Sequence, residues 1–272
     1  MDIKEYKARR FCNGEFSTVH DLLAVEVALR VSINYTPFTV TMRSPGHEKE
    51  LVRGLLFTEG IYTSTVKEPG FEITDIDEAG HITSVNLCLP GDQVEKEYAD
   101  TRSMMSVSSC GLCGKTELND LSTALVSAEG ALKPDIISGF FSAMAEQQKT
   151  FRSSGGTHAA GAFGRSGKLM SVMEDIGRHN AVDKVIGDLL CKGQLSESFC
   201  LTVSGRISYE IVSKAAAAGI ALLASVSAPS SLAIETAENA GICLLAFCRN
   251  EKFTVYTHPE RIMHQQTDAY KS

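Results

Sequence analysis

No uncharged apolar run in this sequence approaches the roughly 20 residues that a membrane-spanning helix needs. The longest apolar stretch, near residues 215–226, is alanine-rich and broken by Gly219. A secretory leader is missing as well, because MDIKEYKARRF is charged from its second residue and has no apolar core. Positive charge is scarce: 26 Lys+Arg stand against 33 Asp+Glu, a net charge of −7. That balance argues against a protein whose task is to coat nucleic acid or an anionic membrane. Cysteine is too sparse for a disulfide scaffold, with eight scattered over 272 residues. There is no second C-x-x-C, no G-x-G-x-x-G after a strand, no internal repeat and no linker. The expectation is a cytoplasmic protein with no nucleic-acid partner, no membrane and no structural metal.

What is present is ordinary globular material, 43% hydrophobic and 22% charged, enough to bury a core. Residues 30–42 (RVSINYTPFTVTM) read as two β runs joined by a turn at 34–37. Ser44-Pro45 predicts a cap and first-turn proline for a helix carrying Leu51, Val52, Leu55 and Leu56 on one face. A hairpin is expected from 71–76 to 81–89, turned by Gly80. Residues 100–115 lack periodicity and read as an exposed loop, with Thr116 capping a helix towards Ala128. A second helix follows Lys133-Pro134-Asp135 with Ile136, Ile137, Phe140, Phe141 and Met144 at helical spacing. Residues 165–168 look like a hairpin turn. A helix from Asn180 then leads into strand 199–203, helix 209–218, strand 220–226, helix 231–239 and strand 242–247. Two βαβ units of this kind imply parallel strands covered by helices. The expected fold class is therefore α/β, with a smaller β-rich N-terminal part over 1–100 and an α/β core over 101–272, together one compact unit.

Most cysteines (Cys12, Cys88, Cys191, Cys200, Cys243, Cys248) read as small hydrophobes in mainly apolar surroundings. Cys110 and Cys113 differ, standing in the Gly/Ser-rich run Ser108-Ser109-Cys110-Gly111-Leu112-Cys113-Gly114-Lys115. A thiol attacks only as thiolate, and a nearby lysine and helix N-terminus favour that form. Half of a zinc site would need two further ligands that no second pair supplies. A thioredoxin-like pair is a stronger rival, although such pairs follow the first strand of a βαβ pattern. The spacing says reactive thiol without saying which reaction.

Four further segments gather polar or charged groups, three of them around glycine. In Gly155-Gly156-Thr157-His158 a tight turn could offer N–H groups to an anion, or simply lead into a strand. In Glu174-Asp175-Ile176-Gly177-Arg178-His179-Asn180-Ala181-Val182-Asp183-Lys184, Arg178 and a helix start could hold a phosphate. The plainer alternative there is a capped helix with a solvated charge run. Ser204-Gly205-Arg206-Ile207-Ser208-Tyr209-Glu210 sits at a strand-to-helix turn but lacks P-loop spacing. Phe247-Cys248-Arg249-Asn250-Glu251-Lys252 is an exposed turn whose Arg249 and Lys252 could reach an anionic ligand. A zinc deaminase would need H-x-E before P-C-x-x-C. Ser109 replaces that proline and the H-x-E, His258-Pro259-Glu260, comes after the cysteines, so deaminase activity is excluded.

Taken in order, Cys110-Gly111-Leu112-Cys113-Gly114, Gly156-Thr157-His158-Ala159-Ala160, the 174–184 and 204–210 segments and Thr254-Val255-Tyr256-Thr257-His258-Pro259 resemble the formate dehydrogenase accessory sulfurtransferase family, FdhD. Glu59-Gly60 and the 34–37 turn also look like that family, and the resemblance covers nearly the whole chain. It implies a sulfur carrier that accepts sulfur from a cysteine desulfurase as a cysteine persulfide on Cys110. The sulfur would pass to the molybdenum bis(molybdopterin guanine dinucleotide) of formate dehydrogenase, bound as substrate and needing the added sulfido ligand. The resemblance also implies a cytidine deaminase-like core with a mixed, largely parallel sheet flanked by helices. It places cofactor binding on Phe247, Cys248, Arg249, Asn250, Glu251 and Lys252. Arg249 and Lys252 suit phosphates, whereas Glu251 would oppose an anion. Cys113 would resolve the persulfide or assist its release. The alternatives are a cofactor-binding chaperone that handles no sulfur and a C-x-x-C thiol–disulfide oxidoreductase. Homodimerisation would suit the fold.

Overall fold

The chain is seen in a computed structural model that describes residues 3–90, 126 and 130–263. Its first 24 residues form a long antiparallel ribbon, β1 (Ile3–Cys12) and β2 (Glu15–Ala24). Asn13 and Gly14 join them at φ 52 and 88, the left-handed pair that a two-residue hairpin loop requires. The charged N-terminus carries no apolar alternation, which hides the ribbon. The Asn-Gly pair was its available signal.

β3 (Val27–Ile33) and β4 (Thr36–Arg43) form the expected hairpin, turned by Asn34 and Tyr35 at φ 48 and 62. β5 (Gly70–Ile76) and β6 (Ile82–Cys88) form the second, with Gly80 at φ 84. They join in a four-stranded sheet ordered β4-β3-β6-β5. One face is covered by α1 (Glu48–Thr58), whose Leu51, Val52 and Leu56 pack with Leu29, Val31, Val85 and Leu87. Ser44 does not cap this helix, which starts at Glu48. Ser44 is instead spent on a distant turn, where its N–H donates to Asp175 and its hydroxyl accepts from the Ile176 N–H.

The larger sheet contains β7 (His158–Gly164), β8 (Leu169–Asp175), β9 (Ser198–Val203), β10 (Leu222–Ser225), β11 (Cys243–Arg249) and β12 (Lys252–Val255), in the order β12-β11-β10-β9-β7-β8. The sheet is mixed, as expected, and four of its six strands point one way. Only the β9–β10 and β10–β11 pairings are parallel, because the antiparallel β7 wedges between β8 and β9. α4 (Arg178–Cys191), α5 (Tyr209–Ala217) and α6 (Ser231–Ala240) connect these strands and pack side by side, on the one face to which the usual right-handed crossover leads. α2 (Pro134–Gln147), with proline at its first turn, lies on the other, where Phe140 stacks on Phe163 at 4.2 Å between ring centroids. The six-residue α3 (Lys149–Ser154) was not foreseen, being too short to show a period.

The two sheets are coupled through α1 and α4, which cross at glycines. A Cβ on Gly54 would lie 1.9 Å from the Asp183 carbonyl oxygen, and one on Gly187 would lie 1.8 Å from that of Glu50. No described helix is long and apolar enough to cross a membrane. The predicted loop 100–115, the helix from Thr116 and the boundary near residue 100 lie outside the described residues.

Candidate functional site

Because β8, β9, β10 and β11 point the same way, their C-terminal ends meet at one edge of the sheet, and β7 starts there. This topology collects four of the five chemistry-bearing segments: 155–158, 174–178, 204–208 and 247–252. Crevices at such an edge are where open α/β sheets hold ligands. The fifth segment, with Cys110 and Cys113, lies outside the described residues.

The 174–184 segment is not a solvated charge run. Asp175 is fully buried and accepts from the Lys184 ammonium at 2.8 Å, the Gly177 N–H at 2.8 Å, Asn180 Nδ2 at 3.0 Å and the Ser44 N–H at 3.1 Å. Asn180 Nδ2 also donates to the Met42 carbonyl at 2.8 Å, and Lys184 donates to the Ser44 carbonyl at 3.0 Å. Asp183 accepts from Thr58 Oγ1 at 2.8 Å and Lys214 Nζ at 2.9 Å, and Lys214 reaches Glu59 at 3.3 Å. Burial pulls the Lys214 ammonium down, but Asp183 and Glu59 outweigh it and hold it above its ordinary value. These charges bolt the N-terminal sheet to the core. Glu174 is structural too, accepting from the Thr150 and Phe151 N–H groups at the start of α3 and from Thr157 Oγ1.

At the centre of the edge, the Ser204 hydroxyl accepts from the Ala159 N–H at 2.9 Å and lies 3.4 Å from His158 Nδ1. Gly205 packs against the His158 ring and against Arg178 Cδ. Burial lowers the His158 pKa, Arg178 lowers it further and Asp175 partly opposes both. His179 Nε2 stands 4.0 Å from Glu210 Oε2.

At the far end, β11 breaks register between Ala246 and Arg249. Phe247 sits at φ 54 with 49% of its surface exposed. Asn250 and Glu251, at φ 48 and 63, make the two-residue turn into β12. Arg249, Asn250, Glu251 and Lys252 are exposed, and Arg249 Nε donates to the Val226 carbonyl at 3.2 Å. Cys248 faces inward, and burial pushes its thiol up to about 11. A cavity of about 320 Å³ lies between this turn and Ile137, Phe141 and Ala145 of α2. A larger one, about 730 Å³, opens at the opposite edge beside Arg165, Lys168 and Phe199, and none of the predicted site residues lines it.

The other buried or half-buried cysteines are likewise held towards the thiol form. Burial raises Cys200 and Cys243, while Cys88 and Cys191 are raised by burial together with Glu72 and Glu68, respectively. Cys12 is exposed near the ribbon tip, so only three of these six cysteines are fully interior. Among the described residues, no group of three or more His, Cys, Asp or Glu is arranged to hold a metal ion.

Fold and edge together define a mixed α/β protein whose polar and charged segments meet at one edge of the larger sheet. The chain belongs to the FdhD/NarQ family, whose model matches residues 24–263. It is 38% identical to the sulfur carrier protein FdhD of Sulfolobus acidocaldarius, over 96% of this chain and 99% of that one. It is 39% identical to the sulfur carrier protein FdhD of Mycobacterium tuberculosis, over 94% and 97% respectively. In fold it matches a crystal structure from Desulfotalea psychrophila, provisionally described as a formate dehydrogenase accessory protein. That match has a TM-score of 0.74 at 24% identity and covers 96% of this chain and 99% of the other.

Proposed function

We propose that this protein is a sulfur carrier serving formate dehydrogenase in the cytoplasm. The observation that carries the reading is near-full-length similarity, at 38–39% identity, to proteins named sulfur carrier protein FdhD. The Cys110-Gly111-Leu112-Cys113 pair in the sequence supports it. As a sulfurtransferase, Cys110 attacks, as thiolate, the outer sulfur of a persulfide on a cysteine desulfurase. The donor's S–S bond breaks, the donor cysteine leaves as thiolate and Cys110 carries the new S–S bond. Delivery of that sulfur as sulfide takes two electrons. Attack of the Cys113 thiolate on the inner sulfur supplies them, releasing hydrosulfide and leaving a Cys110–Cys113 disulfide.

The receiving substrate is the molybdenum bis(molybdopterin guanine dinucleotide) of formate dehydrogenase, held at residues 247–252. The exposed Arg249 and Lys252 beside a cavity support this placement. Cys248 faces inward and offers that substrate only its backbone. The three-layer arrangement of the larger sheet supports a cytidine deaminase-like core that keeps the fold without deaminase ligands. Two such chains act as a homodimer.

The test is intact-protein and peptide mass spectrometry after incubation with a cysteine desulfurase and cysteine. The expected result is a reductant-removable gain of one sulfur atom on Cys110, absent in Cys110→Ala, which also fails to activate formate dehydrogenase. No gain, with the desulfurase active on another acceptor, sinks the carrier reading. Activation by Cys110→Ala then points to a chaperone, and a Cys110–Cys113 disulfide that forms without the sulfur donor and exchanges reversibly with thioredoxin-like partners points to an oxidoreductase.

A further inference from the structure

Three segments that the sulfur-transfer reading does not use converge at the centre of the ligand edge: the turn before β7, the start of α4 and the turn after β9. We propose that His158, Arg178, Ser204 and Gly205 form a phosphoryl-binding subsite. The assignment deepens the cofactor-binding reading, and rests on it only for the source of the phosphoryl group.

Arg178 carries the argument. Its side chain is half-buried, its Nε is buried without a hydrogen-bond partner, and among the described residues its guanidinium makes no hydrogen bond or ion pair. A buried donor left unmade is costly, so a side chain held this way calls for an acceptor from outside the chain. The nearest carboxylate in this segment, Asp175, is already committed to Lys184, Asn180 and two backbone N–H groups. Among the described residues, no ion pair neutralises the charge of Arg178.

The surroundings select an oxyanion. Gly205 brings the two together: a Cβ there would lie 3.3 Å from the His158 ring, a tight contact, and 3.5 Å from Arg178 Cδ, an ordinary one. His158 Nδ1 lies 3.4 Å from the Ser204 hydroxyl, and both His158 and Arg178 border Gly205. Three residues further on, Ser208 Oγ is also buried without a partner. A guanidinium with a histidine, hydroxyls and a close backbone turn is the donor set that recognises a phosphoryl group. The segment 247–252 opens on the same edge, two strands away from β9, so one phosphorylated molecule could touch both.

The test is calorimetric titration of the full chain with inorganic phosphate, pyrophosphate and GDP. Arg178→Gln is expected to weaken pyrophosphate binding by about tenfold or more, the loss of a charge-assisted bond. Arg178→Lys, which keeps the charge but not the planar fork, is expected to weaken it less, and Arg165→Gln at the opposite edge to leave it unchanged. In NMR, saturating pyrophosphate is expected to raise the titration midpoint of His158, which faces Arg178 from α4 and Asp175 from β8. A structural role for Arg178 would not produce that rise. GDP binding much tighter than phosphate identifies a nucleotide source, and equal affinities identify free phosphate. The subsite is overturned if Arg178→Gln binds pyrophosphate like the wild type, or if no probe binds. If instead Arg249→Gln binds GDP like the wild type while Arg178→Gln loses pyrophosphate, the 247–252 reading fails and the subsite stands.

Discussion

Segments 174–184 and 247–252 look alike as strings, each mixing arginine or lysine with carboxylates and an asparagine beside a strand end. In three dimensions they are opposites. Asp175, Asp183 and Lys184 are buried and fully engaged, joining two sheets across α1 and α4. Arg249, Asn250, Glu251 and Lys252 stand in solvent on a two-residue turn. Charge in a motif thus says little about its role until burial is known. A desolvated charge must be paired to be tolerated, whereas an exposed one remains available to a ligand.

The contrast breaks most visibly at Lys214. Lys214→Met removes the cation shared by Asp183 and Glu59 and leaves a buried carboxylate, so urea unfolding should show a loss of about 3–5 kcal/mol. Because the folded state holds the Lys214 ammonium above its ordinary value, its contribution is full below the unfolded value of about 10.4 and fades as pH rises through the higher folded one. Wild-type stability should therefore fall more steeply than that of Lys214→Met in this alkaline window. A variant with equal slope and unchanged stability would contradict the bolt.

Gly187→Ala tests the same junction without touching charge. Its Cβ would meet the Glu50 carbonyl oxygen of α1, and neither backbone can yield cheaply. The expected loss is about 1–3 kcal/mol, read as a lower thermal midpoint. Double substitution of Arg249 and Lys252 by alanine should behave differently, shifting stability by no more than about 0.5 kcal/mol while weakening GDP binding about tenfold. A large stability loss there would erase the distinction between the segments. The smallest effect is expected at Glu251, which holds φ 63 in the turn. Glu251→Gly relieves the left-handed strain and should gain up to about 1 kcal/mol in urea unfolding.

Much of the architecture was legible because local signals were strong. Asn34 announced the β3–β4 turn, Pro134 opened α2, and alternating strand and helix periods after residue 198 announced the parallel units. The β1–β2 ribbon escaped because it packs little and alternates little, despite Asn13-Gly14 at its tip. Ser44 was misread because a serine before Pro45 has the form of a cap, and nothing local shows that its partners lie 131 and 132 residues away.

The sequence by itself determined which segments bring reactive or charged residue types together and the order in which strands and helices follow one another, since these depend on residue type and short-range period. Only the tertiary structure decided that four of those segments share one sheet edge, that one is a buried joint and another a surface turn, and that Arg178 Nε is buried with no acceptor among the described residues. The reason is that desolvation and close backbone approach belong to contacts between residues far apart in the chain. Gly54 meeting Asp183 and Gly187 meeting Glu50 set those contacts, and no local window contains both partners.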